Sequence, residues 1–223
     1  MSSGFCVSEL PEEITRSRIF AHGGFLLFPD LLPPGVLNEL EAEAGRARSE
    51  GLRTVWAAPD AAEDRGGNPD RAFTTAQGGE VQWGIFSAPT LVARLTAACG
   101  LELSPPGGGS YSYYEEPGDF LGLHRDIVRC DLTVICCLRA VSAEPGAGGL
   151  LVYSGHINAP LASARAAGKT AAMPTPIGRG ESIALLGGFV PHEVTPLLVG
   201  QERIVSIMCY EIPNVQSMAR PTE

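Results

Sequence analysis

The spacing of apolar residues along this chain divides it into a front half with helical period and a back half built of short runs. Residues 37–44, entered through Pro33-Pro34, alternate apolar and acidic positions as an amphipathic helix does, and residues 88–98 do the same with Pro89 in the first turn. Residues 24–28 form a short apolar run that predicts an early strand. The stretch 57–80 is rich in Gly, Pro, Asp and Arg and has no period, which predicts a long loop; loops of that length in folded domains are usually functional or disordered. From Ser110 onward predicted strands follow closely at 111–114, 131–138, 150–153, 182–186 and 204–211, separated by turn signals such as Glu144-Pro145-Gly146 and Gly187-Gly188. Many short strands with Gly/Pro punctuation predict a mainly β fold with flanking helices, a sandwich or jelly roll closed around a pocket. No internal repeat is present.

Composition narrows the class. A chain of 223 residues that is 44% hydrophobic buries a sizeable core, and the expected organisation is one domain over 1–223: helical support over about 1–100, then a jelly-roll core over about 101–215. The net charge of -9 and pI near 5.0 argue against a nucleic-acid partner, which needs a basic face to neutralise phosphates. Residues 1–13 lack a basic head followed by an apolar stretch, and no run approaches the ~18 apolar residues of a membrane span. A cytoplasmic protein without a membrane partner is the expectation. The six cysteines show no C-x-x-C pair and no metal-finger spacing, so free thiols are expected. The glycine runs at 107–109 and 146–149 lack the following helix and Lys-Ser/Thr of a phosphate loop, and turn chemistry explains them.

The chemistry concentrates in two places. In Leu121-Gly122-Leu123-His124-Arg125-Asp126, residues two apart on an extended segment share a side, so His124 and Asp126 face the same way. Val190-Pro191-His192-Glu193-Val194 supplies a second imidazole. Two His and one carboxylate on one face of an octahedron leave positions open for a bidentate co-substrate and O2, which suits non-haem Fe(II); zinc favours a closed tetrahedron or a single open position. An isolated H-x-D is usually solvated surface, but here Arg203 follows at the start of an apolar strand. Its planar guanidinium is suited to gripping a carboxylate bidentately, and the distal carboxylate of 2-oxoglutarate fits that role. Arg125 and Arg129 beside the metal segment, and His156 at a strand end, are candidate substrate contacts; the plainer account of each is a solvated loop residue.

Tyr113-Tyr114-Glu115-Glu116-Pro117-Gly118-Asp119-Phe120-Leu121 leading into His124-Arg125-Asp126, then Gly148-Gly149-Leu150-Leu151, then Pro191-His192-Glu193-Val194-Thr195-Pro196 with Gly200 and Arg203, resembles the Fe(II)/2-oxoglutarate-dependent oxygenases. The similarity is nearest to their prolyl-hydroxylase-like branch and covers about residues 110–212. It implies a double-stranded β-helix core, a cupin-like jelly roll, with metal ligation by His124, Asp126 and His192 and the 2-oxoglutarate C5 carboxylate on Arg203. Many members carry Ser or Thr two residues after that Arg, where this chain has Val205; by alternation Ser206 points away. A second donor to the carboxylate is therefore sought in Tyr113 or Tyr114. The family pattern of a Tyr about ten residues before the first His favours Tyr114, since adjacent strand residues face opposite sides.

The resemblance implies a dioxygenase that consumes 2-oxoglutarate and O2, releases succinate and CO2, and oxidises an unactivated C–H bond, with hydroxylation the default outcome. A small molecule such as an amino acid or natural-product intermediate is the expected substrate. A hydroxylase of prolyl or other protein side chains is the alternative, and a non-catalytic jelly-roll binding module is the alternative of another class. The nucleic-acid demethylase branch typically shows a second Arg six positions after the first, where this chain has Cys209. Nothing in the sequence predicts the oligomeric state.

Overall fold

The computed structural model describes residues 10–57, 65, 67–105, 108–141, 149–213 and 215. In chain order the elements are α1 Glu12–Thr15, α2 Arg18–Ala21, β1 Phe25–Phe28, α3 Pro34–Ala47, β2 Leu52–Trp56, β3 Arg71–Gln77, α4 Glu80–Phe86, α5 Pro89–Cys99, β4 Gly109–Tyr114, β5 Phe120–His124, β6 Leu132–Val141, β7 Leu150–Val152, α6 Leu161–Ala167, β8 Met173–Thr175, β9 Ser182–Leu185, β10 His192–Val194 and β11 Glu202–Tyr210. The strands form one antiparallel sheet in the order β1-β9-β6-β11-β4-β3-β5-β10-β7-β8, with β2 added to β3. The sheet curls at β3, which pairs β4 through Thr74–Gln77 and β5 through Arg71 and Ala72. This is the curled half-barrel of a jelly roll, with a broad wall centred on β6, β11 and β4 and a narrower one of β5, β10, β7 and β8.

The helices brace the broad wall from outside. Leu37, Leu40 and Ala44 of α3 and Leu91, Leu95 and Cys99 of α5 are buried on single faces, and each helix carries Pro in its first turn. Alternation on β4 splits its side chains. Tyr111 and Tyr113 face α3, where their hydroxyls donate to Glu43 Oε1 (2.6 Å) and to the Ala44 carbonyl (2.7 Å). Tyr114 points to the opposite, interior side, where it stacks on Phe73 at 5.0 Å. Glu43 also accepts from the Gly79, Val81 and Gln82 amides, so a carboxylate of α3 caps the N-terminus of α4.

Two expectations fail. The predicted loop over 57–80 is interrupted: Arg71–Gln77 is β3, at the centre of the sheet, while residues 58–64 and 66 lie outside the described residues. Its Thr and Phe residues are good strand formers, but it lacks the apolar alternation of a one-sided strand because it is clamped between β2 and β4/β5. The free-thiol expectation holds for Cys99, Cys136 and Cys137 but not for Cys130 and Cys209, which are joined as a disulfide with Cα atoms 4.7 Å apart. Antiparallel pairing explains this: Tyr210 of β11 lies opposite Leu132 of β6, and the Asp131 amide donates to the Tyr210 carbonyl, which brings Cys130 alongside Cys209. Cys6 lies outside the described residues. No helix among the described residues is long and apolar enough to cross a membrane.

Candidate metal centre and its surroundings

His124 ends β5 and His192 begins β10, and the two are paired directly across the ladder. Their rings therefore meet on the interior face, with centroids 4.2 Å apart. Each Nδ1 lies against a main-chain carbonyl two residues upstream, Gly122 O at 2.8 Å for His124 and Val190 O at 2.9 Å for His192. A carbonyl only accepts, so Nδ1 carries the proton in both rings and the Nε2 lone pairs are left for the interior. Asp126 Oδ1 stands 3.5 Å from His124 Nε2 and 3.7 Å from His192 Nε2.

Asp126 lies beyond the end of β5 and is held from several sides. Its amide donates to the Gly187 carbonyl at 2.8 Å, and its Oδ2 accepts from the Thr133 hydroxyl on β6. Gly187 makes this possible: a Cβ there would overlap the Asp126 carboxylate and sit 2.7 Å from Thr133 Oγ1. Burial pushes the Asp126 carboxyl pKa up, but the His192 and His124 imidazoles and the Thr133 hydroxyl outweigh it and hold the carboxyl well below the usual range. Burial, reinforced by His124 and opposed by Asp126, lowers His192 to about 4, so its ring is neutral near pH 7. The result is two imidazole nitrogens and one carboxylate oxygen, all within 4.8 Å of one another. That donor set fits a divalent first-row metal with open positions.

Across the interior, Arg203 of β11 pairs directly with Tyr114 of β4, and its guanidinium carbon lies 6.0 Å from the centre of that ring. Both are buried. Burial pushes the Tyr114 hydroxyl pKa up, Arg203 opposes, and Asp119 and Asp126 add to the rise, so the phenol stays protonated and able to donate. Val205, two residues on, is buried, while the Ser206 hydroxyl accepts from Gln82 Nε2 of α4 at 2.8 Å, on the helix side as alternation requires.

The structure thus gathers His124, Asp126, His192, Arg203 and Tyr114 around one interior, and it sets other candidates apart. Tyr113 is a correction: its hydroxyl is engaged by α3 on the outer face. Arg129 projects away, with a side chain 79% exposed and an ion pair to Glu211 at 3.9 Å. His156 packs edge-on against Tyr153, centroids 6.2 Å apart, and the Tyr153 hydroxyl bonds Glu193. Glu193 adjoins His192 on β10, so this group belongs to the other face of the narrow wall. Arg125 is half-buried between the two ligands of its segment. One further neighbour of the site comes from the 57–80 stretch: Arg65 docks onto residues 126–131. No sequence signal links it to that segment, because the contact spans about sixty residues and depends on a glycine.

No protein-family model matches the sequence, and no curated protein matches it. Solved structures share the fold. A prolyl-4-hydroxylase from Pseudomonas putida superposes with a TM-score of 0.60 at 19% identity, over 86% of this chain and 95% of that one. HygX from Streptomyces hygroscopicus, solved with nickel and 2-oxoglutarate bound, gives 0.61 at 16% identity over 91% and 87%. The epimerase SnoN, in complex with Fe3+, alpha-ketoglutarate and nogalamycin RO, gives 0.64 at 15% identity over 86% and 82%. The jelly roll of this chain is therefore the fold on which those proteins are built.

Proposed function

We propose that this chain is an Fe(II)- and 2-oxoglutarate-dependent dioxygenase that oxidises a C–H bond of a small molecule, an amino acid or a natural-product intermediate, most simply by hydroxylation. The observation that carries the reading is the His124–Asp126–His192 triad with both Nε2 atoms turned inward, facing a buried Arg203 on the opposite wall. The fold shared with HygX and SnoN supports it. Iron held here supplies, with 2-oxoglutarate and O2, oxidation of the substrate with release of succinate and CO2.

The chain's own residues do the positioning. Gly122 and Val190 carbonyls fix both imidazole tautomers, and Thr133 occupies Asp126 Oδ2, so Oδ1 is the oxygen presented to the metal. Arg203 takes the C5 carboxylate of 2-oxoglutarate and the Tyr114 hydroxyl is its second donor. Directly after Asp126, Ile127 and Val128 are 56% and 52% exposed, an apolar surface suited to a substrate with an apolar body.

The test is succinate formation from 2-oxoglutarate under air with Fe(II), scored against panels of free amino acids, glycosides, polycyclic natural products and prolyl peptides, with products identified by mass. Substrate-stimulated succinate from a small-molecule panel, with a product heavier by one oxygen, is expected. Stimulation by prolyl peptides alone would move the substrate to protein. No succinate above the Asp126→Ala background in any panel would overturn the assignment.

A further inference from the structure

We propose that Arg65 is a positioning residue for the metal centre, a latch that holds the two ligand-bearing segments in register. The proposal rests on the reading of His124, Asp126 and His192 as metal ligands. The Arg65 side chain is 18% exposed and reaches the turn immediately after Asp126. Its Nε faces the Asp126 carbonyl at 3.4 Å, its Nη2 donates to the carbonyls of Ile127 (2.9 Å), Val128 (3.2 Å) and Cys130 (2.9 Å), and its Nη1 meets Asp131 Oδ1 at 2.8 Å. Asp131 is fully buried, and its other oxygen accepts from the Ile212 amide at 2.9 Å. A buried carboxylate needs a partner of this kind, and a planar fork serves several acceptors at once as an ammonium cannot.

The second segment contributes the seat. The guanidinium carbon lies 5.0 Å from the centre of the Phe189 ring, over its face. Gly188 leaves the space: a Cβ there would overlap the guanidinium, although the Gly188 backbone lies outside the left-handed region and has no conformational need for glycine. Residues 187–189 lead into His192, and Gly187 is the glycine against which Asp126 packs. One side chain from the β2–β3 connection therefore ties residues 126–131 to residues 187–189, the two segments whose relative placement sets the Asp126–His192 geometry. Such supporting contacts tune metal affinity when the ligands themselves are untouched.

Three variants test it: Arg65→Ala removes the latch, Gly188→Ala fills its seat, and Arg65→Lys keeps the charge beside Asp131 but not the fork. Two readouts are needed. Hydrogen exchange in the metal-free protein should quicken in peptides covering 126–131 and 186–192 for Arg65→Ala and Gly188→Ala, with Arg65→Lys between them and wild type. Mn(II) titration should show affinity reduced by about 10- to 100-fold in the same order. Arg94→Ala, which breaks the exposed pair with Asp30 far from the site, should leave both readouts at wild type and so separates positioning from general loss of stability. Unchanged exchange in both segments, or unchanged Mn(II) affinity in Arg65→Ala, overturns the latch. If wild-type protein fails to bind Mn(II), the metal-centre reading falls, and the exchange measurement alone then decides whether Arg65 joins the segments.

Discussion

Replacing Gly187 by alanine adds one methyl group at the point where Asp126 and Thr133 meet. The new Cβ would stand 2.9 Å from the Asp126 carboxyl carbon and 2.7 Å from Thr133 Oγ1, against ordinary contact from 3.4 Å, and closer still to Asp126 Oδ2. Relief requires the carboxylate oxygen to retreat by roughly 1 Å or more, beyond the ~0.5 Å tolerance of a preorganised ligand set. No backbone strain accompanies the change, because Gly187 lies outside the left-handed region. Overpacking of this size costs the fold about 1–3 kcal/mol. Disturbing the support of a metal ligand costs about 10- to 100-fold in affinity, or about 1.4–2.7 kcal/mol. The expected outcome is a folded protein that binds Fe(II) about 10- to 100-fold more weakly than wild type. Thermal melting with anaerobic Fe(II) titration reads both quantities. Gly45→Ala is the control: nothing lies within 4 Å of its added Cβ, and its helical setting should gain roughly 0.5–1 kcal/mol. Wild-type Fe(II) affinity in Gly187→Ala would show that Asp126 is not held in place by this packing and would refute the reasoning.

Arg203→Leu should leave Fe(II) binding intact and weaken 2-oxoglutarate by tens to thousands of fold, from the loss of about 2–5 kcal/mol in a buried charge-assisted contact; Tyr114→Phe should act in the same direction and less, and Tyr113→Phe not at all, as 2-oxoglutarate titration will show. Glu43 makes an acid-stability prediction. Burial pushes its pKa up, but the Tyr111 hydroxyl and the Gln82, Val81 and Gly79 amides outweigh it and hold it below the ordinary value of 4.5. A depressed carboxylate pKa stabilises the fold above the unfolded-state value, and that contribution is lost as pH falls through the folded-state value. Wild-type melting temperature should therefore drop below about pH 4.5, and Glu43→Gln should be less stable at neutral pH with a flatter profile in that range. Glu43→Ala strands the buried Tyr111 hydroxyl and should cost a further ~1–3 kcal/mol by denaturant unfolding.

Where one physical constraint dominates, the chain is legible from its sequence. Leu37, Leu40 and Ala44 announce α3 through their period, and His124 and Asp126 declare a shared face through a spacing of two. Alternation also places Tyr114 inward and Ser206 outward, as the contacts of Tyr113 with α3 and of Ser206 with Gln82 show. What escaped depends on partners distant along the chain. Strand β3 takes its burial from both neighbours, so its own pattern is mute. The seat of Arg65 needs Gly188, and the cap on α4 needs Glu43, and neither pairing leaves a local signature. Cys130 and Cys209 meet only because β6 and β11 pair in one register.

The central claim is that one interior holds both iron and 2-oxoglutarate, through His124, Asp126 and His192 on one wall and Arg203 on the other. Anaerobic difference spectroscopy, with Fe(II) and 2-oxoglutarate added together to the metal-free protein, tests it most directly. Wild type should give a visible absorption band that requires both additions, Arg203→Leu should give it only at much higher 2-oxoglutarate, and Asp126→Ala should abolish it. A wild-type protein with no such band, or an Asp126→Ala protein with a band of full strength, would contradict the assignment.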